Sequence, residues 1–219
     1  DREQRGGADD RVIGVVATLV ADEPAVTAPA RSLARALWRP ITLLVAQPGA
    51  GATLAFVATY KIGEQLALAM TMPFLISEAG FSLAEIGVVY QLLGIAGTLL
   101  GGVLGAMVVA RVGLRWGLFI AGGLQAATNL AYLAVAAAPS MVMLGVAVTF
   151  DNTANAMGTG AFVAFLMARC APEVSATQYA LLTSLSSLLA RSLGGGAAAY
   201  LVALGWSLFW LGTAALAIP

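Results

Sequence analysis

Histidine is absent from the 219 residues. Its absence excludes the usual zinc ligand sets, Ser-His-Asp triads and histidine proton relays together. Cysteine occurs once, as Cys170, so an internal disulfide is excluded and the residue reads as a small apolar filler. Charge is scarce: Asp, Glu, Lys and Arg make up 10% of the chain, against about 25% in a soluble domain. Eleven basic and eleven acidic residues cancel, which argues against nucleic acid as a partner. What fills the chain instead is apolar, with 60% hydrophobic residues and a mean hydropathy of +0.89. A water-facing surface cannot be covered from this composition, so the expected solvent is lipid.

The ends are polar at one side and apolar at the other. Asp1–Asp10 is a polar run that does not begin with Met and has no secretory leader pattern after it. Pro219 falls inside an apolar stretch. Both ends are expected to be cuts in a longer chain.

A membrane-crossing helix needs about 20 mostly apolar residues. Val12–Ala21 is too short and reads as a remnant or an interfacial stub. Residues 22–50 read as a linker containing a helix over 29–47, kinked at Pro40. Arg31, Arg35 and Arg39 share one face of it, either solvated or lying on an anionic leaflet. Residues 51–219 then read as a transmembrane bundle. Its spans are expected near 52–76, 85–110, 116–138, 141–168 and 178–203, with a partial one from Trp206. Short connections force antiparallel neighbours. Nine of the eleven basic residues lie before the first full span or in the 111–115 and 169–177 links, and the other three links have none. That asymmetry places the arginine-bearing links in the cytoplasm.

Charges inside a span are costly and need a reason. Lys61 and Glu64 lie three apart on one face of the first full span, Asp151 in the middle of the fourth and Arg191 in the middle of the fifth. They are either two neutralising pairs that lock helices or the lining of a cavity for substrate and proton. Tyr60, Gln91, Gln125, Asn129, Asn152 and Asn155 add polar groups to the same spans. An acid/base pair of Asp151 and Glu64 in a membrane hydrolase has no accompanying motif. A receptor or accessory subunit would need a soluble domain that the sequence does not show. Gly97, Gly101 and Gly105 stand four apart, a pattern that lets helix backbones approach.

Tyr60-Lys61-Ile62-Gly63-Glu64 resembles the seventh-helix signature of the AmpG-type muropeptide permeases, a family of the major facilitator superfamily. Met72-Pro73-Phe74-Leu75, Gly80-Phe81-Ser82, Ala161 to Met167 and Ala176 to Leu182 follow in matching order. Arg111, Gly113 and Arg115 resemble the superfamily's cytoplasmic loop motif after helix eight, with Ala110 where an acid is usual. Glu64 stands where the family more often has Asp, and Asp151 where it often has Glu.

The resemblance implies an all-α integral membrane fold: the six-helix C-terminal bundle of a twelve-helix carrier, its last helix truncated. It implies a multi-pass protein of the bacterial inner membrane, with the lipid bilayer and an N-terminal six-helix half as partners. The implied activity is proton-driven import of anhydro-muropeptides, sugar-peptides from peptidoglycan recycling. No cofactor is implied beyond the proton gradient. An acetyl-CoA carrier is the second reading. Proton coupling would fall to Glu64 or Asp151.

Overall fold

The computed structural model describes residues 33–218, apart from the side chains of residues 33–37, 189, 190 and 193–201. The expected remnant at 1–21 and the linker up to residue 32 lie outside the described residues. The packed unit begins at Leu37. Among the described residues every regular element is helical.

Helix α1, Leu33–Val45, carries Pro40 inside it. The proline cannot donate, but its carbonyl accepts a 2.9 Å hydrogen bond from the buried Gln178. Gly49 takes a left-handed φ of 77° and turns the chain into α2, Ala50–Thr59. A single apolar span is expected over 52–76, yet the helix breaks at Tyr60–Lys61 and resumes as α3, Ile62–Ser77. The next helix starts on a capping box. The Ser82 hydroxyl accepts from the Glu85 backbone N–H, and the Glu85 carboxylate accepts from the Ser82 backbone. Two orphan amides are satisfied this way. Helix α4, Leu83–Val89, passes through a π turn at Tyr90–Gly94 into α5, Ile95–Ala137. The expected link at 111–115 is reduced to one residue in α5: Gly113, at φ 83° and ψ 165°, reverses the helix in place. Only glycine adopts that conformation cheaply. Helices α6 (Met141–Ala168), α7 (Ser175–Ala203) and α8 (Trp206–Leu216) complete the bundle.

The tightest packing joins α5 to α6. A Cβ at Gly101 would collide with the Thr153 backbone, and one at Gly97 would lie 2.5 Å from the Thr149 carbonyl. The small residues let the backbones meet, and the Thr153 hydroxyl uses the gap to donate 3.1 Å to the Gly97 carbonyl. Gly63 plays the same part against α8, whose Leu216 carbonyl carbon would lie 2.9 Å from an added Cβ.

Two apolar clusters cap the bundle. One gathers Phe74, Tyr132, Leu144, Phe209 and Trp210 at the 77–84 end, with Tyr132 stacked on Trp210 at 4.6 Å. The other gathers Val57, Leu118, Phe162, Leu166 and Leu182 at the 111–115 end. Between them lie polar side chains that are buried, among them Gln125, Thr128, Asn129 and Ser186. The outside is the reverse: Val142 is 78% exposed, Leu99 68% and Leu188 67%. Large apolar side chains exposed to this degree are costly in water and natural against lipid.

Among the described residues, the run Leu83–Ala137, turned back at Gly113, is long and apolar enough to cross a membrane, and only 22% of its most apolar window is buried. The pair Trp38–Val45 and Ala50–Ser77, bent by 106°, would make a second span if taken as one. Helix α6 is 28 residues long, roughly 42 Å at 1.5 Å per residue, but Asp151, Asn152, Thr153 and Asn155 dilute its apolar character.

Candidate functional site: a polar layer across the bundle

The helix break puts Lys61 at the N-terminal boundary of α3 and Glu64 in its first turn. The Lys61 ammonium donates to the Glu64 carboxylate at 2.5 Å and to the Thr159 hydroxyl at 2.8 Å. Both charged side chains are about seven-eighths buried, at 12% and 16% exposure. This is the ion pair found among the described residues, and it answers one intramembrane charge with the other. A cavity of about 260 Å³ opens beside it, lined by Lys61, Glu64, Gln65, Thr159, Phe162, Ser186, Ser187 and Arg191 among others. Arg191 therefore shares a cavity with the Lys61–Glu64 pair.

Asp151 makes no ion pair with Arg191. Its Oδ1 accepts from the Gln125 amide at 2.9 Å and from the Thr128 hydroxyl at 3.0 Å. Its Oδ2 accepts from the Tyr132 hydroxyl at 3.4 Å, and the Tyr90 and Tyr132 hydroxyls lie 3.4 Å apart. With Tyr132's proton committed to Asp151, Tyr90 is the donor to Tyr132. Every partner of this carboxylate is neutral. Hydrogen bonds to a charged group are the stronger kind, so the neutral donors hold the carboxylate without fixing a counter-charge beside it.

The two groups are joined. A small cavity of about 20 Å³ is lined by Tyr60, Glu64, Gln125 and Gly158, with Ala121, Gly122, Ala154 and Ala217. Gln125 thus faces Glu64's cavity while its amide holds Asp151. Tyr60 stacks on Phe162 at 5.1 Å, in the wall that separates this layer from the 111–115 end. The result is a polar layer in which Arg191, Lys61 and Glu64 line one cavity, Glu64 and Gln125 a second, and Gln125, Asp151, Tyr132 and Tyr90 a hydrogen-bonded group.

The remaining expected residues lie elsewhere. Asn152 bonds the Val148 carbonyl at 2.8 Å and packs over Gly94, so it serves the α5–α6 contact. Asn129 is fully buried, and its amide atoms have no partner among the described residues. Asn155 is half-buried, and Gln91 is exposed within the π turn. Arg111 and Arg115 are exposed on either side of the Gly113 turn. Thr128 and Tyr132 escaped the sequence reading, although Gln125, Thr128 and Tyr132 are spaced three and four apart, which is one helical face. Thr159, on the same helix as Asp151, accepts from Lys61 instead.

A bundle that is polar inside, apolar outside and broken at a charged pair has the build of a membrane permease. Its relatives bear that out. The chain is 37% identical over 207 residues, 94% of its length, to the anhydromuropeptide permease of Escherichia coli strain K12. It is 38% identical over 167 residues, 76% of its length, to a protein of Rickettsia conorii named as an AmpG 4 transporter. A protein of Rickettsia prowazekii named as an AmpG 1 transporter is 26% identical over 168 residues, 76% of the chain. The chain is thus a relative of the AmpG-type permeases, and these relatives carry the names of permeases and transporters, not of enzymes. It spans 42% of the length of the E. coli protein and 40% of the R. conorii one. No family model matches the chain.

Proposed function

We propose that the chain forms the C-terminal six-helix half of a proton-driven importer of anhydro-muropeptides in the bacterial inner membrane. The observation that carries this reading is the polar layer between two apolar ends, in which Lys61 and Glu64 sit at a helix break, Arg191 shares their cavity, and Asp151 lies on α6 among neutral donors. Discontinuous helices at mid-depth are where secondary transporters bind substrate. The names of the relatives supply the substrate class.

The chemistry of the cavity suits a sugar-peptide. Lys61 and Arg191 can meet carboxylates of a peptide stem, and Glu64 can meet an amine. The cavity in this half is open, and the matching wall belongs to the N-terminal half, so binding requires both. Asp151 is the proton carrier of this scheme. Because its partners are neutral, it can lose and regain a proton without stranding a paired cation. Glu64 stays tied to Lys61 until substrate competes for either one.

Sealed vesicles containing the full-length protein test the reading. They should accumulate labelled anhydro-muropeptide unchanged, and an uncoupler should abolish accumulation. Recovery of a cleaved product inside the vesicles, or uptake of acetyl-CoA without muropeptide, would overturn it.

A further inference from the structure

At the 111–115 end, away from the polar layer, a groove of about 590 Å³ opens between α2, the second limb of α5 and the end of α6. Its size is within the range of roughly 300–1,000 Å³ usual for ligand sites. The walls are apolar and largely aromatic: Phe56, Leu118, Phe119 and Phe165, with Phe56 and Phe165 packed edge to face at 4.9 Å. Two exposed arginines stand at the mouth, Arg115 just past the Gly113 turn and Arg169 at the end of α6. The Arg169 guanidinium lies 5.3 Å over the Phe165 ring, which fixes it at the groove instead of leaving it to sweep through solvent. Trp116 and Phe119 pack together beside the opening, both substantially exposed. Aromatic rings of this kind sit at headgroup level.

Two cations over an apolar trough have one natural complement, an anion that carries a long apolar tail. We propose that this groove binds one anionic phospholipid of the cytoplasmic leaflet. Arg115 and Arg169 hold its phosphate, and an acyl chain lies along Phe56, Leu118, Phe119 and Phe165. The proposal rests on the membrane placement given above and is independent of the transported substrate. The bound lipid would tie the turn between the limbs of α5 to the end of α6, two elements that come from different parts of the chain.

Native mass spectrometry of the full-length detergent-purified protein, titrated with phosphatidylglycerol or with phosphatidylcholine of the same chains, tests this without any transport assay. A juxtamembrane cation near an anionic lipid surface is worth roughly fivefold in affinity. One phosphatidylglycerol should therefore bind roughly 25-fold more tightly than phosphatidylcholine, from two such cations. Arg115→Gln alone, an exposed position whose change leaves the core intact, should lose roughly fivefold of that preference. Replacing both arginines with Gln should abolish it, and Lys at both should keep most of it. Equal binding of the two lipids, an unchanged preference in Arg115→Gln, or displacement of the lipid by an equimolar amount of glycerol phosphate would overturn the proposal. So would a groove found filled by a second copy of the chain, seen as a lipid-independent dimer.

Discussion

Lys61 and Glu64 hold each other in a place where either charge alone would be costly. Removing one partner of a buried pair typically costs about 3–5 kcal/mol, while replacing both by neutral groups of similar volume is far milder. The pair retains some exposure, so the lower end of that range applies. Lys61→Met should lower the thermal stability of the detergent-purified protein markedly. Lys61→Met combined with Glu64→Gln should recover much of the loss, as read from melting curves. Asp151 behaves differently, because its partners are Gln125, Thr128 and Tyr132. Asp151→Asn keeps an acceptor oxygen for them and should fold normally. It should retain exchange of substrate down a gradient and lose proton-driven uptake. Adding Arg191→Gln should rescue nothing, since no Asp151–Arg191 bridge exists to relieve; recovery of uphill uptake in that double variant would refute the proton-carrier role. Cys170 is half-buried beside the Leu166 carbonyl, and burial pushes its thiol above the ordinary range. The thiolate is the reactive form, so at neutral pH the group is a thiol and should react slowly with maleimide. Its labelling rate should rise as pH climbs toward the raised value, and fast labelling at pH 7 would contradict this.

The helices show which sequence signals were legible. Four-residue glycine spacing in α5 read as a packing face, and the structure presses Gly97, Gly101 and Gly105 against α6. Gly101→Val should therefore cost about 1–3 kcal/mol by overpacking. Gly102→Ala, on the open side of the same turn, should cost nothing or gain up to about 1 kcal/mol of helix propensity. Comparable melting temperatures for the two variants would undo the assignment. The break at Tyr60–Lys61 was not legible. Hydropathy averages over a window of about 19 residues, and an apolar run such as 52–76 looks continuous through a two-residue interruption. Nor does a proline mark the place. Gly63, two residues on, is explained by α8 crossing over it, a contact between distant parts of the chain that local pattern cannot encode. The partners of Asp151 were hidden for a related reason. Its nearest polar neighbours in sequence, Asn152 and Thr153, turn toward α5 near Gly94 and Gly97. Its hydrogen-bond donors come from the far limb of α5 instead. Sequence clustering marked the right helix and the wrong neighbours.

At the scale of the molecule, a buried polar layer and an exposed apolar surface invert the arrangement of a soluble domain, and the family relationship places that inversion in a membrane. The distribution of arginine predicts orientation. In the full-length protein within intact cells, a cysteine at Glu78 or Ser140 should be labelled by an impermeant reagent added from outside, and one at Glu173 or Ser175 should not. The opposite pattern would reverse the bundle. All four positions are exposed, so failure to label would report sidedness and not burial.

Substrate is expected to enter the polar layer beside Lys61, Glu64 and Arg191. Protection of a single cysteine checks this, in the full-length protein with Cys170 replaced by Ser. Cysteine at Ser187 lines the 260 Å³ cavity, and cysteine at Gly160 lies on the exposed side of α6 with open space around it. Anhydro-muropeptide should slow the reaction of a permeant thiol reagent at Ser187 in a concentration-dependent way and leave Gly160 unaffected. Unchanged labelling at Ser187 in a variant that still imports the muropeptide would place the substrate path elsewhere.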